Sequence, residues 1–127
     1  MAAARRDFVV EITPAKESWD VVVRVIRLWF VPDMNSKQKY YAMEMILMDE
    51  KGGKIQASVR KVLLYRFDNK VREGNVYNFK HFGVATNTGA YRTIKHQFKL
   101  SLQNSTVVTE FGADLITFSP YSFVSFP

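Results

Sequence analysis

Apolar and polar residues alternate most regularly between residues 19 and 60. In Trp19-Asp-Val-Val-Val-Arg-Val-Ile-Arg-Leu-Trp-Phe, Trp19, Val21, Val23 and Val25 share one side of a two-residue period, and the β-branched and aromatic content predicts a long first strand. Residues 31–39 hold Pro32, Asp33, Asn35 and Ser36 beside two lysines, the composition of an exposed loop. A second strand over 40–48 puts Met43, Met45 and Leu47 on one side. Asp49-Glu50-Lys51-Gly52-Gly53 then reads as a tight turn whose glycines supply positive φ. In the third strand, 54–60, Ile55, Ala57 and Val59 form a core face and Gln56, Ser58 and Arg60 a polar one.

The period changes over 61–71. Val62, Leu63, Phe67 and Val71 recur at three- and four-residue spacing, which predicts a short helix broken at Glu73-Gly74-Asn75. Strand composition returns over 76–84, a turn follows at Thr86-Asn87-Thr88-Gly89, and a fifth strand is expected over 91–102, kinked near His96. Residues 8–12 read as a short strand within a lead-in interrupted by Pro14. Three strands, a helix and two strands is the element order of the OB-fold, an all-β, five-stranded Greek-key barrel with one short helix between strands three and four. A split sandwich is the competing arrangement. The expected organisation is a lead-in at 1–16, an OB-fold domain at 17–111, and a C-terminal tail or linker at 112–127.

The size of the chain, 127 residues, fits one core. No apolar run approaches the roughly 20 residues of a membrane-spanning helix, and residues 1–7 hold no apolar stretch of the signal-peptide kind. With no cysteine, disulfides, thiolate zinc sites and a cysteine nucleophile are excluded, which fits a reducing compartment. Charge is unevenly spread: residues 51–109 carry eleven Lys/Arg against two Asp/Glu, whereas residues 1–50 carry seven against eight. A basic excess confined to one segment and accompanied by aromatics is the balance expected of a polyanion partner. The 18 aromatics, 10 Phe, 6 Tyr and 2 Trp, exceed what one small core consumes, leaving some as stacking platforms. His81 and His96 have no third ligand at a recognisable spacing, and no phosphate loop, His-Glu-x-x-His or Gly-x-Ser-x-Gly is present. The sequence therefore predicts no enzyme, no catalytic residues, no metal and no cofactor, with Asp49-Glu50 assigned to the turn.

Five blocks in order, Trp19-Asp-Val-Val-Val-Arg-Val, Met45-Ile-Leu-Met-Asp-Glu-Lys-Gly, Lys54-Ile-Gln-Ala-Ser-Val, Glu73-Gly-Asn-Val-Tyr-Asn-Phe and His96-Gln-Phe-Lys-Leu-Ser-Leu, resemble the first single-strand DNA-binding OB domain of the replication protein A large subunit, in the style of the plant group. The resemblance covers roughly residues 17–108. It implies a nuclear protein that coats or tracks single-stranded DNA in replication, repair or recombination, with other replication protein A subunits or repair proteins as further partners. Position by position, it puts Lys37 of the first loop on a basic DNA-contacting position and Gln56, Ser58 and Arg60 on the DNA-facing side of strand three. Arg60 stands where the family has a stacking aromatic, Tyr91 matches its second stacking aromatic, and Lys99 replaces an acidic contact residue.

Each assignment has a structural competitor. Tyr91 could simply pack at a strand edge, and Arg60 could be solvated. Trp29 and Phe30, at the mouth of the first loop, either cap the barrel or line the groove. The methionines 43, 45 and 48 read as core. The expected nucleic-acid-binding set is Trp29, Lys37, Lys39, Gln56, Ser58, Arg60, Lys61, Tyr91, Arg92, Lys95 and Lys99, with cations tracking phosphates and aromatics stacking on bases. The expected partner is single-stranded DNA, with no membrane partner. An OB-fold peptide-binding domain and a single-stranded RNA-binding module are the alternatives.

Overall fold

The computed structural model describes residues 6–16, 18–35, 40–87 and 94–111. Seven strands, β1 (Asp20–Pro32), β2 (Tyr40–Met48), β3 (Lys54–Arg60), β4 (Val76–Lys80), β5 (Gly83–Thr86), β6 (Phe98–Ser101) and β7 (Val107–Phe111), form one sheet in the order β5-β6-β3-β2-β1-β4-β7. Only His81 and Phe82 separate β4 from β5, so the chain itself links the strand at one edge of this order to the strand next to the other edge and curls the sheet into a barrel. His81 makes the bend at φ 60, a left-handed conformation uncommon outside glycine, and its carbonyl accepts a hydrogen bond from Thr106 Oγ1 at 3.0 Å. The β3–β6 pair is parallel; all the other pairs are antiparallel.

β1 is long because it serves two neighbours. Asp20–Arg24 pair with β4, and the register against β2 runs from Arg24 to Pro32. Between Val25 and Arg27 that register slips. An extra residue in one strand of a pair reverses which side chains face the core. Val21, Val23 and Val25 point inward before the slip, and Leu28 and Phe30 pack on the core after it. Trp29 is thereby turned to the outer face, opposite Glu44.

The core contains the predicted set: Trp19, the three alternate valines of β1, Met43, Met45 and Leu47 of β2, and Ile55, Ala57 and Val59 of β3. Fully burying a side chain of this size contributes about 1.5–3 kcal/mol each. Met48 belongs to a second small cluster with Val22 and Val76, against which Ile26 and Phe111 pack.

Several expectations change in detail. Residues 8–12 form no strand; Val9–Glu11 is a 3-10 turn in which Glu11 Oε1 accepts from the Phe8 amide at 2.8 Å, and Val9 and Ile12 enter the core. The helix is shorter than expected: a 3-10 turn at Lys61–Leu63 runs into α1 (Leu64–Phe67). Leu63, Phe67 and, beyond its end, Val71 are buried, while Val62, about 120° round the 3-10 turn from Leu63, is 68% exposed. The fourth predicted strand is divided at His81. Of the fifth predicted strand, 91–93 lie outside the described residues, 94–97 form no strand, and β6 begins at Phe98; just before it, His96 Nδ1 accepts from the Phe98 amide at 3.0 Å and Nε2 donates to the Val9 carbonyl at 2.8 Å. β7 was not expected; it buries one residue in five, Val108, too few to show a period.

Candidate nucleic-acid interface

The outer face of β2, β3 and β6 is built by register. Glu44 lies opposite Ser58, and Ser58 opposite Ser101, so a polar row crosses three strands, with Trp29 of β1 extending it on the far side of Glu44. Arg60 is two residues beyond Ser58, and Lys99 two before Ser101; the period of two puts both on the same face. Together they line a groove of about 350 Å³ with Tyr41, Glu44, Ser58 and Lys61. Ala42, opposite Arg60, leaves the floor low at that end.

The floor is organised by hydrogen bonds. Glu44 Oε1 accepts from Gln56 Nε2 and from Ser58 Oγ, each at 2.7 Å. Gln56, expected on the DNA-facing side of strand three, is only 4% exposed and supports Glu44, with its Oε1 buried and without a hydrogen-bond partner among the described residues. The walls carry the charge. Arg60 is exposed and its side chain makes no hydrogen bond or ion pair among the described residues, and neither does that of the half-buried Lys99. Lys61 differs, because its Nζ is 2.8 Å from Asp33 Oδ2 in the first loop.

Trp29 adjoins the polar row but does not line this groove. Phe30 is half-buried against the core, and its ring meets that of the exposed Tyr40 at a centroid distance of 5.0 Å. Lys95 lines a separate groove of about 440 Å³ with Lys54, His96, Gly52, Gly53 and Val9, sharing no residue with the first. Burial lowers the pKa of the Lys54 ammonium there. Lys37, Lys39, Tyr91 and Arg92 lie outside the described residues. Two groove residues were missed from sequence. Tyr41, 62% exposed, was signalled by the tandem Tyr40-Tyr41 beside the lysine-bearing loop, and Glu44 was signalled as the one acid on the outward face of an otherwise apolar strand.

Asp49 closes the β2–β3 hairpin. Its Oδ1 accepts from the amides of Lys51 at 3.1 Å and Gly53 at 2.9 Å, and its Oδ2 from the Val9 amide at 2.8 Å. The carboxylate, 2% exposed, thus holds both the turn and the N-terminal segment, which is the hairpin role its sequence position predicts.

A curled sheet with one short helix after its third strand, and a polar groove across its outer face, defines an OB-fold domain. Solved structures share that fold. A replication protein A heterotrimer bound to ssDNA matches with a TM-score of 0.70 at 18% identity, covering 86% of this chain and 25% of that one. DNA binding domain A of Saccharomyces cerevisiae replication protein A matches at 0.61 and 19%, covering 84% and 94%. Schizosaccharomyces pombe Pot1pC bound to ssDNA matches at 0.59 and 12%, covering 95% of each. The chain belongs to the family described as Domain of unknown function DUF223, whose model matches residues 10–127. No curated protein matches it in sequence.

Proposed function

We propose that this chain is a non-enzymatic single-stranded DNA-binding module of the replication protein A large-subunit type, acting in the nucleus in replication, repair or recombination. The observation that carries the reading is the groove itself: Arg60 and Lys99, both without a partner among the described residues, stand over a polar floor with an exposed tyrosine at the rim. Cations without internal partners are available to phosphate, and a tyrosine ring offers a face to an unpaired base. That two of the similar structures are complexes with ssDNA supports the same ligand here. Lys37, Lys39 and Arg92 extend the cationic set in this reading, and Tyr91 adds a second stacking ring.

The test is a titration of one labelled oligonucleotide as a single strand and as a duplex, at two salt concentrations. The single strand is expected to bind at least tenfold more tightly, with log K falling against log salt by roughly 0.7 per phosphate contacted. Equal affinity for both forms, or no binding at low salt, overturns the proposal. A flat salt response would mark a peptide-binding domain instead.

A further inference from the structure

An anion on the floor of a phosphate-binding groove is out of place, and Glu44 is held there by neutral groups. Both hydrogen bonds it accepts come from an amide and a hydroxyl, on the same oxygen, and it makes no ion pair among the described residues. The amide orientation of Gln56 is fixed by this contact, since the flipped amide would face the carboxylate with an oxygen. Two donors at 2.7 Å fix the side-chain torsions of Glu44, leaving Oε2 with no hydrogen-bond partner among the described residues in a side chain that lines the groove. An acceptor ordered before the ligand arrives loses little entropy on binding.

Resting on the single-strand reading above, we infer that Glu44 reads bases in this groove, accepting from an exocyclic amino group and so favouring cytosine over thymine. A carboxylate accepts from the N4 amino group of cytosine, whereas thymine presents the O4 oxygen at the same place and would set one acceptor against another. The two bases are otherwise close in size and stacking face, so the difference isolates this contact. The backbone cations Arg60 and Lys99 contribute equally to both.

The test compares binding of dC12 and dT12 above neutral pH, where cytosine stays unprotonated, by the wild-type chain and by Glu44→Gln, which keeps the shape and one acceptor oxygen but removes the charge. Wild type is expected to bind dC12 about fivefold or more tightly than dT12. Glu44→Gln should bring the two within about twofold or reverse their order, because its oxygen stays on Gln56 and Ser58 and the substituted amide then presents a donor, which meets the O4 acceptor of thymine and opposes the N4 amino group of cytosine. Equal wild-type affinities for both oligomers overturn the inference and leave the single-strand reading standing. A preference that survives in Glu44→Gln also overturns it, by locating the discrimination elsewhere. Failure to bind either oligomer overturns the single-strand reading itself. Should the variant fail to fold, the wild-type ratio still decides.

Discussion

Lys61 Nζ lies 2.8 Å from Asp33 Oδ2, which ties the start of the helical turn to the first loop and partly neutralises a cation that borders the groove. Arg60, its neighbour in sequence, has no such partner among the described residues. The two should therefore respond differently to removal. Arg60→Ala is expected to weaken single-strand binding several-fold and to make the salt slope shallower by about 0.7. Lys61→Ala should change the slope by clearly less, and stability by under about 1 kcal/mol, as for other exposed ion pairs. Salt-dependent titrations of both variants check this.

The chemistry at Arg60 can be separated further. Lysine keeps the charge and loses the planar guanidinium, while phenylalanine restores the stacking ring of the resembled family and loses the charge. Arg60→Phe is expected to bind single strands at least as tightly as wild type. If it abolishes binding while Arg60→Lys retains it, Arg60 acts through its charge alone and no base stacks at the end of β3.

Tyr91 is the second stacking residue that the resemblance implies. Tyr91→Ala should remove about 1–3 kcal/mol of binding and leave the salt slope nearly unchanged, because a π-face is lost and no charge. A slope that falls with the affinity would contradict the stacking role.

Asp49 carries a prediction about stability. Its carboxylate accepts three backbone amides and is almost fully buried, so Asp49→Ala leaves those donors without their acceptor. Hydrogen bonds to a charged group contribute about 1.5–3 kcal/mol each and do not add fully, so a loss of about 2–4 kcal/mol in urea unfolding is expected. A loss below about 1 kcal/mol would show that the turn forms without it.

How much of this was legible in the sequence depends on how far a pattern can be read locally. β3 alternates cleanly, so its core face and the outward placement of Ser58 and Arg60 followed directly, and in β2 the single acid Glu44 marks the outward face of a nearly continuous apolar run. The slip near Ile26 is invisible in a period-two reading, and it decides that Trp29 faces outward while Phe30 faces the core. Division of one predicted strand at His81 depends on the Thr106 contact, 25 residues away in sequence. The burial of Gln56 and the anchoring of Glu44 depend on a cross-strand pair that no single strand reveals. The pairing of Lys61 with Asp33 is likewise a contact between distant segments.

The central claim, that a single strand occupies the groove over β2, β3 and β6, is tested most directly by following backbone amide resonances during addition of a short single-stranded oligonucleotide. The account predicts saturable shifts concentrated at Tyr41, Glu44, Ser58, Arg60 and Lys99, with β7 and the outer cluster of Val22, Met48 and Val76 unmoved. Shifts centred on that cluster or on β7, or no saturable shifts at all, would contradict it.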